Sequence, residues 1–539
     1  MIRRAILATA LALLAGCSRG GTSRHDVAPR SELIVAQQRE PQSLNPALEN
    51  GASSTQWGEL LFQYLVKYDA QGRLVGDAAS QVPTLANGGI SRDGRTIVYH
   101  LRPGLRFADG TALTARDCAW SIDAINDPRN NVQTRYGYST VAKAEARDDR
   151  TLVLHLRRPF APILTLVLAP QGFPILPRHL LASYPDFNQI PFNTQPIGSG
   201  PYVVTRWAHG DRVELRANPY YPGGVKIAHL QVSFVPDTST ILNLLRTREV
   251  DGMFNDLDAG DLPLLRTIRG QRVTATPVNA VGALIFNTAD PVTSDPRVRH
   301  ALAEAIDIRT LIAKTYRGAV DAHAAGRGLF IWAYDPTAYP DIPYDPVHAR
   351  TLLDAAGWTS GPDGVRRKNG RRLELLLVIQ AATPGDTIIA NGIEQYARAV
   401  GASIVVKAFN VTQLVAPANA GGPVYGGKFQ LALYPFVNGN DPDTTDQFAC
   451  ANVPPHGYNK SRICDPAIDA LLNDGKSTYD VARRKAIYAQ LEHRLYEELP
   501  IVLLYQRREI DSFTRRLRGQ TTSVDSAWWN VAAWSLEHR

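Results

Sequence analysis

The stretch Phe429-Gln-Leu-Ala-Leu-Tyr434 has the alternation of a short strand, and it runs into Pro435-Phe-Val-Asn-Gly-Asn-Asp-Pro-Asp443. Asn-Gly, Asn-Asp and Asp-Pro favour turns, because their side chains cap their own backbone and glycine takes positive φ. The sequence therefore predicts a strand ending near Tyr434 and a loop beginning at Pro435. Two aromatics, Tyr434 and Phe436, are delivered to that loop beside the amide of Asn438 and the carboxylate of Asp441. Aromatic walls with a few fixed polar groups are the composition of a small-molecule pocket. The same residues would also make a polar surface turn after a core strand. The rest of the chain decides between the two.

With 539 residues, the chain is long enough for about two to four domains. Hydrophobic content of 44% and charged content of 20% are ordinary for a globular protein with large cores. The net charge of +7 comes from interspersed acidic and basic residues with no long basic run, so nucleic-acid binding is not expected. At the N-terminus, Arg3-Arg4 precede an apolar segment, Ile6 to Ala15, that is too short for a permanent span. Leu14-Ala15-Gly16-Cys17 then resembles the lipobox of bacterial lipoproteins. That resemblance implies a signal peptide at 1–16, an acylated Cys17 and a polar tether at 17–32. The body would then be exported and lipid-anchored on the periplasmic or extracellular side. An oxidising compartment permits a Cys450–Cys464 disulfide, and closing a loop of about fifteen residues is worth ~3 kcal/mol. Cys118, near a helix start, is expected to be a buried free thiol. Cys450, His456 and Cys464 lack a tight Cys-x-x-Cys pair, so no metal site is predicted.

Several strands and helices are legible along the chain. Leu33–Ala36, Gly94–Arg102 and Thr151–Leu156 read as strands, Ser54 to Tyr68 has helical spacing, and Thr114 caps a helix through Ala124. The stretch Arg102-Pro-Gly-Leu-Arg-Phe-Ala-Asp-Gly-Thr-Ala-Leu-Thr114, with that strand and capped helix, resembles the signature region of the family-5 extracellular solute-binding proteins. Further blocks are similar to the family's in the same order. They are Pro196-Ile-Gly-Ser-Gly-Pro-Tyr202, Asn218-Pro-Tyr-Tyr221, Asp295 to Asp307, Tyr344 to Trp358, Phe429 to Cys464 and Glu498 to Tyr505. The series covers nearly everything after Leu33.

The resemblance implies an α/β fold of two lobes, periplasmic-binding-protein-like (class II, cluster C type), with an extra subdomain in lobe one. Lobe one would comprise 33–287 plus 500–539, with 75–194 as the extra subdomain, and lobe two 288–499. The residues support this separately, since Val281-Gly-Ala-Leu-Ile-Phe286 and Pro500-Ile-Val-Leu-Leu-Tyr505 are apolar strands placed to cross between lobes. The implied function is capture of a peptide or similar solute for an ABC permease, by a monomer, with no cofactor and no catalysis. No Gly-x-Ser-x-Gly, His-Glu-x-x-His or Walker motif is present, and Asp441 with Asp443 read as turn caps rather than an acid–base pair. An exported hydrolase or a structural or sensory envelope lipoprotein are the alternatives.

In dipeptide-binding members, a carboxylate before the Asp-Pro-Asp element receives the peptide's α-ammonium. Laying Asp441-Pro442-Asp443 on that element puts Asn438 at the position. An amide accepts a hydrogen bond but cannot neutralise an ammonium, a loss on the order of a few kcal/mol in a dry cleft. Either another carboxylate serves, or the solute is a sugar or an amine-blocked peptide. Tyr434, Phe436, Asn438 and Asp441 are the expected contacts, with Trp57 and Trp528 as aromatic walls.

Overall fold

The computed structural model describes residues 32–537, apart from 50, 255–258, 323–324, 382 and 525. The expected signal peptide and the Cys17 lipidation site lie outside these residues. Ten strands, labelled β1–β10 here, form one mixed sheet. They are β1 Glu32–Gln37, β2 Tyr202–Ala208, β3 Arg212–Ala217, β4 His229–Phe234, β5 Gly252–Met253, β6 Gln271–Phe286, β7 Glu374–Gln380, β8 Ser403–Phe409, β9 Leu431–Val437 and β10 Ile501–Thr514. Their order across the sheet is β8-β7-β9-β6-β10-β5-β1-β4-β3-β2.

Two strands are far longer than the rest, β6 with 16 residues and β10 with 14, and they run antiparallel. The first half of β6 pairs with the second half of β10, which also pairs with β5. The second half of β6 lies between β9 and the first half of β10. Their register shifts between Pro277 and Val281, where one half gives way to the other. Residues 272–278 of β6 are partly buried or, at Pro277, exposed, whereas 279–286 are buried throughout.

The packing divides where the register shifts. One core gathers Leu33, Trp57, Leu215, Val232, Phe513 and Trp528. Two others lie on opposite faces of the second half of β6 and the first half of β10. Leu284, Phe286, Val502 and Leu504 enter one of them, and Val281, Ala283, Ile285, Ile501 and Leu503 enter the other. A strand buried on both faces has no polar alternate positions, which is why both runs read as continuously apolar. The helix Pro384–Ala399 makes the crossover between the parallel strands β7 and β8.

A separate antiparallel sheet of Thr96–His100, Thr151–Leu156 and Val141–Ala146 packs with the helix Ala115–Asn126. It shares the first core through Ile97, Tyr99, Cys118, Ile122 and Leu154. The Asp117 carboxylate accepts from the Thr114 N–H and hydroxyl, both at 2.9 Å, and so fixes this helix's start. Cys118 is a buried free thiol, and Cys450 and Cys464 form a disulfide.

Two elements differ from expectation. The helix read over 54–68 ends at Leu61, and Val66–Tyr68 pairs with Leu74–Gly76 as a hairpin. Its apolar spacing fits both readings, and packing against the first core selects the strand. The strand expected to stop before Pro435 instead continues through Val437, with Pro435 opposite Gly282. β9 pairs with β7 only at Leu431 and Ala432, so beyond them one side of β9 is an edge. A proline without an N–H is tolerated there. No helix among the described residues is long and apolar enough to cross a membrane.

Candidate ligand-binding site

Alternation along β9 places Ala432, Phe436 and the half-buried Tyr434 against the third core. Asn438 follows them and is held on every side. Its N–H donates to the Asn279 carbonyl at 2.7 Å, and its Nδ2 donates to the Gly328 carbonyl at 2.9 Å. Its Oδ1 accepts from Gln447 Nε2. Asn279 lies where β6 passes between the halves, and its Nδ2 donates to the Gly439 carbonyl (3.2 Å) and to Asn440 Oδ1. The bend is thus bolted to the crossing strand, a role for Asn279 that the sequence reading missed. The only sequence trace of that role is one amide at the mouth of an apolar run.

Asp441 is engaged internally. Its two oxygens accept from Arg484 at 2.9 and 2.7 Å, with side-chain exposures of 6% for the arginine and 9% for the aspartate. Burial works against the guanidinium's charge, but Asp441's charge and hydrogen bonds outweigh it and raise its pKa. Arg484 also lies over the Trp332 ring, 5.3 Å from its centroid.

Asp443 reaches outward. Its Oδ2 accepts from the Tyr136 hydroxyl at 2.6 Å, and its Oδ1 caps Thr445 at 3.1 Å. Tyr136 belongs to the segment that packs with the first core, so this bond joins the two halves. Desolvation, then the charge of Asp443, holds the Tyr136 phenol well above its ordinary range. Further joints are Ala161 N–H to the Lys476 carbonyl at 2.7 Å and Tyr479 hydroxyl to the Phe160 carbonyl at 3.0 Å. A Cβ built on Gly439 would stand 2.3 Å from Gln171 Oε1. The bend therefore abuts the opposite half.

Lys460, only 6% exposed, lies over the faces of Tyr434 (4.6 Å), Phe436 (5.4 Å), Tyr458 (5.6 Å) and Tyr425 (5.7 Å). Burial pushes its ammonium down to a pKa of about 8. Three of these rings, Tyr425, Tyr434 and Tyr458, line a cavity of about 520 Å³. Tyr434 also borders a second cavity of about 390 Å³, in which Arg39 from the end of β1 meets Tyr505, Arg507, Arg508 and Asp386. Both volumes suit a small solute.

The structure thus brings Tyr434, Phe436, Asn438 and Asp441 to one bend, with only Tyr434 at a cavity wall. Trp57 and Trp528 are not brought there, since both are buried in the first core. Trp528 packs against Trp534 and Phe254, with ring centroids 5.2 and 4.7 Å away. Among the described residues no group of three or more His, Cys, Asp or Glu is placed to hold a metal ion.

The family model of bacterial extracellular solute-binding proteins, family 5 (middle), matches residues 80–454. Protein XP55 of Streptomyces lividans is 29% identical over 519 residues, covering 92% of this chain and 88% of that protein. Glutathione-binding protein GsiB of Escherichia coli K12 is 25% identical over 518 residues, covering 95% of this chain and 94% of that protein. The crystal structure of NikZ from Campylobacter jejuni in complex with Ni(L-His) matches with a TM-score of 0.77 at 26% identity, over 94% of this chain and 100% of that one. The divided sheet is therefore the two-lobed α/β fold of class II periplasmic binding proteins. With family match, fold and motif order in agreement, the chain belongs to the bacterial extracellular solute-binding proteins of family 5, the substrate-capturing components of ABC importers.

Proposed function

We propose that this chain captures a small solute, with peptides as the leading class, by closing two lobes over it, and delivers it to a membrane permease. One observation carries the reading. Two separately packed halves are joined side by side through β6 and β10, and the Asn438–Asp443 bend sits where they meet. A solute touching both halves would favour the closed form through contacts that the open form lacks. No bond is made or broken; GsiB is a glutathione-binding protein by name, and NikZ is seen in complex with Ni(L-His). We place the lobe boundary within β6 and β10, near Val278–Asn279 and Gln506–Arg508, because their second and first halves respectively pack in the second lobe. Acylation at Cys17 would hold the protein at the outer face of a membrane.

Asn438 and Asp441 are both satisfied within the protein. Of the bend's carboxylates, Asp443 is the one that reaches the seam, so it is the candidate to meet a solute's ammonium. Titrating a peptide and metabolite library against tryptophan fluorescence and thermal stability tests the reading. A true solute at a hundred times its Kd should stabilise the protein by about 2.7 kcal/mol, and should compact it in small-angle scattering. A library without any such solute, or turnover of a peptide by the purified protein, would count against it.

A further inference from the structure

The far end of lobe one gathers arginines that the fold does not neutralise. β1 starts at Glu32, β6 starts at Gln271, and β10 ends at Thr514, which pairs with Gln271. β1 runs parallel to β5, and β10 runs antiparallel to both β5 and β6, so these three ends fall at one end of the sheet. The turns there are rich in arginine. Arg248 follows the helix Thr238–Thr247, Arg269-Gly270 leads into β6, and Arg515, Arg516 and Arg518 follow β10. All five line one cavity of about 390 Å³. The solute seam lies elsewhere. From Gln271 to Ala280, where β6 meets β9, is about nine residues, or about 30 Å along the strand.

Three carboxylates share the cavity wall, and two of them are engaged. Glu537 pairs with Arg518 at 2.6 Å, and Asp251 accepts from the Ile34 N–H at 3.1 Å. That leaves Glu32 against four arginines. Among the described residues Arg248, Arg269, Arg515 and Arg516 form no ion pair. Arg515 Nε donates to the Gln271 carbonyl at 3.2 Å, and Arg516 Nε to the Glu537 carbonyl at 3.1 Å. Each bond steadies a guanidinium and leaves its terminal nitrogens without an acceptor among the described residues. Burial, then the charge of Arg518, pushes the neighbouring Arg272 guanidinium below its ordinary range, so positive charge is crowded here. Like charges held together work against the compact state, and folding draws nothing from them. Guanidinium forks match the oxygens of a phosphate.

The N-terminal segment joins the body at the same place. Glu32, the first of the described residues, lines the cavity. The stretch from Cys17 to Ser31 can span at most about 50 Å. An acylated Cys17 would keep the arginines within that distance of a bilayer. We infer that this arginine-rich end of lobe one docks on the phosphate headgroups of an anionic phospholipid surface, so that the body stands on it with the solute seam clear of the membrane. The inference goes beyond solute capture. From that reading it takes only the anchor at Cys17, and its test needs no anchor. Each arginine at an anionic surface strengthens binding about fivefold, so four supply several hundredfold, and salt screens the effect.

Every described element lies within residues 32–537, so the chain from residue 17 onward, carrying Cys17→Ser, keeps them all. This unacylated chain is sedimented with vesicles of phosphatidylcholine, alone or with phosphatidylglycerol as a third of the lipid. At low salt it should prefer the anionic vesicles at least about a hundredfold, and high salt should erase most of that. Arg248→Gln with Arg269→Gln should weaken binding at least about tenfold. Neither side chain holds a bond in the described fold, so the melting temperature should not move. Adding Arg515→Gln and Arg516→Gln should abolish the preference. As a control, Arg350→Gln, Arg371→Gln, Lys407→Gln and Lys485→Gln remove the same charge from exposed sites of lobe two and should leave it within about threefold. Three results would overturn the inference: equal binding to both vesicles, equal loss in the control, or a preference that survives all four arginine substitutions. Calorimetry with glycerol phosphate is the second arm. Saturable binding of that soluble anion without vesicle binding would make the cavity a phosphate-ester pocket and overturn docking. A chain that compacts with a solute but ignores the vesicles loses only this inference, and one that docks but never compacts loses only solute capture.

Discussion

Lys460 sets a pH signature. Its pKa falls from 10.5 to about 8 on folding, so between those values the unfolded chain binds more protons than the folded one. Stability contributed at this site therefore rises as pH increases through that window, by up to about 3 kcal/mol. Desolvation raises the neighbouring Tyr425 and Tyr434 phenols above their ordinary range. Denaturant melts of wild type and Lys460→Met at pH 7.5 and 10.5 should converge at the higher pH. A difference that does not change with pH would place the charge in solvent. Asp441 and Arg484 make the complementary case. Their bidentate pair is buried on both sides, so Asp441→Ala strands a guanidinium and should destabilise by ~3–5 kcal/mol. Asp441→Ala with Arg484→Met should recover most of that in chemical denaturation. A free solute contact at Asp441 would instead leave stability unchanged.

Among elements, β9 and the loop after it do the positioning. The Asn279 amide ties the bend to the crossing strand through Gly439 and Asn440. Asn279→Ala leaves those acceptors unmet and should destabilise by about 1–3 kcal/mol. Amide exchange at Asn438, which donates to the Asn279 carbonyl, should quicken while exchange in β7 stays unchanged. The Cys450–Cys464 bond closes the loop that carries Lys460. Replacing both cysteines by serine should lower stability by ~3 kcal/mol in non-reducing buffer, read by thermal unfolding.

At the level of the whole molecule, the seam is read through Gly439. Its missing side chain leaves room for Gln171 of the opposite half. Gly439→Ala should be nearly silent, because the glutamine amide can swing aside. Gly439→Trp should wedge the halves apart, break the Tyr136–Asp443 bond and raise the solute-free radius of gyration. Its unfolding free energy should stay close to that of wild type, since Gly439 belongs to none of the three cores. An unchanged scattering profile for Gly439→Trp would mean that the bend does not meet the other lobe in solution.

Much of this arrangement was legible beforehand. Val281–Phe286 and Ile501–Tyr505 announce strands buried on both faces, because burial on two faces permits no polar alternation. The Thr114 cap, the ordered motif series and the paired cysteines are local or nearly local features, and chain order carries them. Pro435 misled, because whether a proline ends a strand depends on whether a neighbour needs its N–H, and that neighbour is 55 residues or more away in β7. Asn438 and Asp441 were found as residues but not in their roles, since Gly328, Gln447 and Arg484 claim them from distant segments. Lys460 carried no signal at all. A lysine in Asn459-Lys-Ser461 reads as solvated until four rings, two of them on β9, close over it. Sequence alone determined that the two apolar runs are strands, where the helix at Thr114 starts and what family the chain joins, because periodicity and turn chemistry act over a few residues. Only tertiary structure decided which polar groups remain available to a guest, because a hydrogen bond or a desolvated charge is defined by what the fold brings against it.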